Sequence, residues 1–97
     1  MNQEICDAIA ALEVIEFTYR GLLRVVEPFC HGISRAGNEV LRAYQIGGES
    51  ESGQPFGWKL YEVSHMSGIT ATGATFRPTR AGYNPNDSQM TSVHCSA

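Results

Sequence analysis

The residues best suited to ligand chemistry lie where a glycine- and serine-rich stretch gives way to an apolar pattern. The segment GWKLYEV, residues 57–63, contains Trp58 and Lys59, the only tryptophan and the only lysine of the chain. An indole ring can stack on a flat ligand, and an ammonium group can bind the phosphate or carboxylate of that ligand. The pair therefore predicts a site for a small anionic ligand. The alternative is that Trp58 packs in a core while Lys59 is solvated.

Other polar residues could complete such a site. Two glycines that follow a predicted strand allow backbone N–H groups to approach an anion closely, and arginine binds phosphate through two parallel hydrogen bonds. The segment RAGYNPND, residues 80–87, could close over a pocket or a partner subunit, although turn chemistry alone also explains its residues. The predicted ligand-binding residues are Arg24, Arg42, Tyr44, Gln45, Gly47, Gly48, Trp58, Lys59, Arg80, Tyr83 and Asn84.

The sequence predicts no metal site, no cofactor and no catalytic site. Cysteine and histidine are neighbours twice, as Cys30-His31 and His94-Cys95. Adjacent strand residues point to opposite faces of a sheet, so neither pair can readily bind one ion. Nothing in the sequence orients a Cys/His nucleophile pair, and no two acids are placed so that one pKa would rise. The protein is therefore predicted not to be an enzyme.

Length, composition and net charge limit the classes of protein to which the chain can belong. The 97 residues predict one domain, and ten glycines and four prolines favour a β-rich fold. A net charge of −3 argues against binding to long nucleic acid. The sequence shows no apolar run that suits a signal peptide or a membrane span. Because the three cysteines form no CxxC motif, we predict a cytoplasmic protein with reduced thiols.

Hydrophobic periodicity predicts the elements that position these residues. Ile5, Ala8, Ile9 and Leu12 form one apolar stripe, which predicts a helix over about residues 3–13. From residue 14 the apolar period changes to two, which is typical of strands.

Turns and breaks divide the strand region. Arg20-Gly21 predicts a tight turn, and residues 47–56 predict an exposed, mobile loop. Pro28 predicts the end of a strand, which the segment FCHGIS, residues 29–34, could continue in register after a bend. Short strands that turn every eight to twelve residues predict a small Sm/SH3-like β-barrel of five to six strands at about residues 14–76. A C-terminal loop and one short strand follow in residues 77–97, so that residues 1–97 form a single domain.

The order of these segments resembles the WYL domain, in particular the short, stand-alone WYL-like proteins of bacteria and phages. The resemblance covers about residues 4–66 and rests on VIEFTY, LRVVEPF, GNEVLRAY and GWKLYEV, separated by a glycine-rich loop; RAGYNPND is similar to the tail of those proteins. It implies an Sm/SH3-like barrel that senses nucleic acid or nucleotides. This chain keeps only Leu41 of the tripeptide that names the family. Glu62 stands where the family usually has an arginine, which argues against long nucleic-acid ligands.

These observations together predict a non-enzymatic module that binds or sequesters a small anionic, nucleotide-type signal. Two alternatives remain open. One is a protein–protein interaction or oligomerisation module without a small-molecule ligand, and the other is a binder of single-stranded nucleic acid. Because a small barrel offers only shallow outer faces, a homo-oligomer that builds a cleft between subunits is expected. No interaction with membranes is predicted.

Overall fold

The computed structural model describes residues 2–50 and 53–97 and is mainly β. One helix precedes the strands of this described part, and a three-residue 3₁₀ helix, Val63–His65, joins two of them. The elements are α1 (Gln3–Ala11), β1 (Glu13–Tyr19), β2 (Leu22–Ser34), β3 (Glu39–Gly48), β4 (Gly57–Glu62), β5 (Met66–Thr75) and β6 (Met90–Ser96). The prediction of a mainly β fold with an N-terminal helix is confirmed.

The strands form one antiparallel sheet in the order β4-β3-β2-β1-β5, and β6 also pairs with β2. The length of β2, 13 residues, explains this arrangement. Its first half pairs with β1 as far as Val26, and its second half pairs with β6 from Cys30 onwards. The strand β2 therefore connects every part of the sheet.

Pro28 does not end a strand, contrary to the sequence prediction. The strand β2 continues through it, and the register with β3 shifts between Pro28 and Cys30. A proline cannot donate to the hydrogen-bond ladder, and bulges are among the few sheet positions that tolerate one. The bulge therefore lets a single strand continue past Pro28, which is the alternative that the sequence left open for residues 29–34.

The helix α1 covers one face of the sheet. The side chain of Asn2 accepts a hydrogen bond from the backbone N–H of Ile5, and the helix ends where Leu12 takes a left-handed conformation with φ of 53°. This turn at Leu12 makes the helix shorter than the predicted 3–13. The buried side chains of the helix pack on residues from four strands, in a core that includes Ile5, Ile9, Phe17, Val26, Leu41 and Tyr61. No helix of the described residues is long and apolar enough to cross a membrane.

A second apolar cluster lies away from this helix-covered core. Phe29 is fully buried at its centre, with Val14 and Phe76, and Trp58 and Tyr83 pack around it. The rings of Phe76 and Tyr83 come from the segment that follows β5, so this C-terminal segment packs over the sheet. Both faces of the sheet are therefore occupied, and this decides where each predicted site residue points.

The cysteines correct the prediction of reduced thiols. Cys6 of α1 and Cys95 of β6 form a disulfide, while Cys30 is free and buried. The disulfide joins the helix to the last strand, so it fastens both ends of the chain to the same core.

The predicted loop of residues 47–56 is shorter in the structure. Gly47 and Gly48 belong to β3, and residues 51 and 52 of the predicted loop lie outside the described part of the chain. The remaining loop residues lead from β3 into β4.

Candidate functional site

The sheet separates the predicted site residues into two groups. In the pairing of β3 with β4, Trp58 lies opposite Tyr44, and Lys59 lies opposite Ala43. Because successive strand residues point to opposite faces, Trp58 and Lys59 face different sides of the sheet. The structure therefore does not bring the indole and the ammonium group into one pocket.

Four residues of the first group, Arg42, Trp58, Tyr83 and Asn84, line a cavity of about 240 Å³, here named the tryptophan cavity. Tyr44 and Arg80 belong to the same group but do not line this cavity. The rings of Trp58 and Tyr83 stack with centroids 5.9 Å apart, and Nε1–H of Trp58 donates to the carbonyl of Ala81 over 3.0 Å. A Cβ at Gly82 would lie 2.8 Å from Nε1 of Trp58, so only glycine allows this approach. The polar side chains that line the cavity are Arg42, Asn84, Asp87 and Ser88.

The two arginines of the first group are engaged with carboxylates. Nε of Arg42 donates to Asp87 over 2.7 Å, and Nε of Arg80 donates to Glu27 over 2.7 Å. A second N–H of each guanidinium group also reaches the same carboxylate, at 3.4 Å and 3.0 Å respectively. The guanidinium carbon of Arg80 also lies 3.9 Å from the ring centroid of Tyr44. These pairs neutralise the charges that an anionic ligand would need.

The pKa of Asp87 reflects this pairing. Burial raises the pKa of its carboxyl group, but the hydrogen bonds from Arg42 and from the backbone N–H of Gln89 lower it by more. The net pKa is below the usual value, so Asp87 is ionised at neutral pH and neutralises Arg42. The tryptophan cavity thus offers aromatic surface and a balanced ion pair rather than positive charge.

The second group contributes to a cavity of about 350 Å³, here named the cationic cavity. Its lining includes Tyr19, Arg20, Arg24, Ser50, Lys59 and Tyr61. Arg24 and Lys59 are predicted site residues, and Arg20 joins them although it is not among the predicted ones. Three of the seven basic side chains of the protein therefore line one cavity.

The tight turn between β1 and β2 positions Arg20. Arg20 and Gly21 have φ of 53° and 80°, the left-handed pair that suits a two-residue hairpin turn. The guanidinium carbons of Arg20 and Arg24 lie 5.6 Å and 5.3 Å from the ring centroid of Tyr19. These cation–π contacts hold both charges beside one aromatic ring.

The loop that follows β3 is held by polar contacts. Nζ of Lys59 donates to the carbonyl of Gln54 over 2.6 Å. The buried Gln45 accepts from the hydroxyl of Tyr61 over 2.9 Å and donates to the carbonyls of Gly47 and Glu49. Burial raises the pKa of Tyr61 to about 12, so this hydroxyl stays neutral and remains a donor. Gln45 therefore supports the wall of the cavity from inside the core.

The two glycines of the predicted site serve strand pairing. A Cβ at Gly48 would lie 2.2 Å from the carbonyl oxygen of Leu23, and Gly48 has φ of +84°. A Cβ at Gly47 would lie 3.4 Å from the side chain of Val25. Gly48 in particular allows β3 to approach β2 closely, which accounts for this glycine without any bound anion.

A third group of reactive side chains was missed by sequence reasoning. Nδ1 of His31 lies 3.3 Å from the sulfur of Cys6 and 3.5 Å from the sulfur of Cys95. Nε2 of the same ring lies 2.5 Å from Oε2 of Glu39, which also accepts the backbone N–H of Asn2 over 2.7 Å. His31 is fully buried, and Cys6 is nearly so.

Burial dominates the pKa of His31. It lowers the pKa of the imidazole, although the hydrogen bond to Glu39 and the negative charge of Glu39 act in the opposite direction. Burial raises the pKa of Glu39, but hydrogen bonds from His31 and Asn2 outweigh it, so the pKa is lower than usual. A neutral imidazole beside an ionised carboxylate is the resulting state.

The residues that were not predicted differ in whether a local sequence signal could have identified them. Arg20 precedes a glycine in a predicted turn, so its place beside the next strand could be inferred from the hairpin. Cys6 and Cys95 are 89 residues apart in sequence. No local spacing relates them, and only the packing of α1 on β6 brings them together.

The chain matches no protein-family model, no curated protein and no solved structure.

Proposed function

We propose that the protein binds a small anionic ligand of nucleotide type, and that the cationic cavity receives its phosphate. The observation that carries the proposal is the convergence of Arg20, Arg24 and Lys59 on one cavity in a chain of net charge −3. The positive charge of the cavity favours a phosphate over a neutral group.

The chemistry of the cavity supports binding rather than catalysis. Guanidinium groups offer several N–H donors in a fixed plane, and the ammonium group of Lys59 adds a mobile point charge. Each charge-assisted hydrogen bond to a phosphate contributes about 1.5–3 kcal/mol. The described lining residues include no carboxylate, imidazole or thiol, so they offer no general base at the expected position of the ligand.

We also propose that the sheet closes into a small Sm/SH3-like barrel. The strands β4 and β5 are the two ends of the sheet order, and only the three residues Val63–His65 separate them along the chain. The hydroxyl of Tyr19 on β1 accepts the backbone N–H of Glu62 on β4 over 3.0 Å, which joins β4 to the strand that pairs with β5. Nuclear Overhauser contacts between backbone protons of β4 and β5 are expected, and their absence would show that the sheet stays open.

Binding of matched nucleotide and nucleoside pairs tests the ligand proposal. In calorimetric titrations, at least one nucleoside monophosphate is expected to bind the protein, while its parent nucleoside binds much more weakly. Arg20→Ala and Lys59→Ala are each expected to lower the affinity for that nucleotide about 10- to 100-fold, because each removes one charge-assisted bond. Arg77→Ala is the matched control, since Arg77 is exposed and is not part of the cationic cavity.

The titrations also give clear contrary results. If no nucleotide binds, the proposed ligand class is wrong. If a nucleotide binds but Arg20→Ala and Lys59→Ala behave like Arg77→Ala, the cationic cavity is not the site. A loss of affinity in Asn84→Ala alone would instead place the ligand in the tryptophan cavity.

A further inference from the structure

Cys6, His31 and Cys95 form a cluster in which the histidine lies beside the two sulfurs without being part of the disulfide. The three potential ligand atoms lie within 4.8 Å of one another. They come from three different elements, α1, β2 and β6, and His31 lies directly opposite Cys95 in the pairing of β2 with β6. The cluster lies apart from the cationic cavity, whose lining shares no residue with it.

The hydrogen bond to Glu39 determines which nitrogen of His31 carries the proton and which nitrogen presents a lone pair to the sulfurs. Nε2 lies 2.5 Å from a carboxylate oxygen, so Nε2 must carry the proton. Nδ1 then presents its lone pair to the sulfurs of Cys6 and Cys95. A disulfide has no proton to donate, and a buried acceptor normally has a donor or a metal ion as its partner.

We propose that the reduced protein binds one zinc ion through Cys6, Cys95 and Nδ1 of His31. The disulfide and the zinc ion are then alternative cross-links between α1 and β6, chosen by the redox state. Two thiolates and one imidazole are ligands that zinc prefers, and three protein ligands leave the fourth tetrahedral position to water.

The distances already suit a tetrahedral ion. With Zn–S near 2.3 Å and Zn–N near 2.05 Å, sulfur and nitrogen ligands stand about 3.6 Å apart. The observed separations of Nδ1 from the two sulfurs are 3.3 Å and 3.5 Å. Only the two sulfurs must move, to about 3.8 Å apart, once the bond between them is broken.

Glu39 completes the arrangement as a positioning residue. Metal-binding histidines usually donate their second N–H to a carboxylate, which orients the ring and makes the ligand nitrogen more basic. The contact of Glu39 with Nε2 has this form, and the backbone N–H of Asn2 holds the same carboxylate oxygen.

Reduction of the disulfide by a dithiol converts the cross-linked state into the metal-binding state. A dithiol reductant attacks the sulfur of Cys95, which is the less buried of the two cysteines, and the S–S bond breaks to release Cys6 as a thiolate. The second thiol of the reductant then displaces Cys95, so the reductant becomes a cyclic disulfide and the protein gains two thiols. Binding of Zn²⁺ releases the two thiol protons to solvent.

Metal titration of the reduced protein tests the proposal. The chain is reduced with a dithiol, desalted under anaerobic conditions, and titrated with Co²⁺ and then Zn²⁺. We expect one Co²⁺ per chain, with thiolate-to-cobalt charge-transfer absorption and the visible bands of a tetrahedral ion, and displacement of Co²⁺ by Zn²⁺. The oxidised protein is expected to bind neither metal.

Variants separate the proposed ligands from other thiols. Cys30→Ser is the matched control and should still bind one metal ion, because Cys30 contacts Met90 and not this cluster. Cys95→Ser should weaken metal binding more than about 100-fold, and Glu39→Gln, which keeps the size of the side chain, about 10- to 100-fold. Far-ultraviolet circular dichroism reports whether each reduced protein is folded.

Each outcome of the metal titration either supports or contradicts the zinc proposal. A reduced chain that binds one metal, or that is unfolded and regains its β structure with Zn²⁺, supports the proposal. A reduced and folded chain that binds no metal overturns it, as does an unfolded one that Zn²⁺ does not refold. Equal metal binding by Cys95→Ser and Cys30→Ser also overturns it.

Discussion

Reduction of the Cys6–Cys95 disulfide in metal-free buffer is expected to lower the free energy of unfolding by about 2–5 kcal/mol. The two cysteines are 89 residues apart, so the cross-link closes almost the whole chain into one loop. Such a loop restricts the unfolded chain strongly, and the chain-entropy relation gives about 4.6 kcal/mol for this length. Urea unfolding with and without a dithiol, in the presence of a chelator, measures the difference.

The helix α1 is expected to be the first part to loosen in the reduced protein. It has nine residues, and a helix of this length is not stable by itself in water. Burial of Ile5, Ala8 and Ile9 and the disulfide are what hold it on the sheet. Hydrogen exchange should therefore accelerate in α1 before it accelerates in β2.

A matched cysteine variant controls for the reductant itself. Cys30→Ser removes the free thiol and keeps the disulfide, so it should lose the same stability on reduction as the unmodified chain. The double variant Cys6→Ser with Cys95→Ser should not respond to the reductant. A loss of less than about 1 kcal/mol on reduction would show that burial alone holds the helix.

Phe29→Ala is expected to cost about 3–5 kcal/mol of stability, which is enough to unfold a domain of this size. The ring of Phe29 is fully buried at the centre of the second apolar cluster. Its centroid lies 5.0 Å from that of Trp58, 5.1 Å from that of Phe76 and 4.8 Å from that of Tyr83. Removing it leaves a cavity between the sheet and the C-terminal segment.

Phe56→Ala is the matched control for this substitution. The side chain of Phe56 is 64% exposed, and its removal should change the free energy of unfolding by no more than about 0.5 kcal/mol. Urea unfolding followed by the fluorescence of Trp58 compares the two variants. Similar losses in both would show that the second cluster contributes little to stability.

Local patterns in the sequence were sufficient to predict the helix, most of the strands and the first tight turn. The apolar stripe of Ile5, Ala8 and Ile9 predicted α1, and the period of two after residue 14 predicted the strands. The dipeptide Arg20-Gly21 predicted a tight turn, and both residues do take left-handed conformations. Each of these signals is read within a few residues, where side-chain spacing and backbone preference act directly.

Two local rules failed for reasons that are visible only in the folded chain. Pro28 lies inside β2 because a bulge accommodates it, and a bulge depends on the register with the neighbouring strand. Gly48 looked like an anion-binding residue, but the carbonyl of Leu23 on the adjacent strand requires the absence of a side chain there. Both effects depend on which residue of the neighbouring strand lies opposite Pro28 or Gly48. The sequence alone does not reveal this pairing.

The sequence by itself determined the class of elements, the turns and the candidate residues Trp58 and Lys59, because these follow from composition and short-range periodicity. Strand alternation already places Trp58 and Lys59 on opposite faces, but only the tertiary structure decided that each of them lines a different cavity. It also decided that Arg20 joins Arg24 and Lys59, and that Cys6 and Cys95 meet beside His31. Lys59 and Cys95 lie far along the chain from the residues that they meet, so only strand pairing and packing create these contacts.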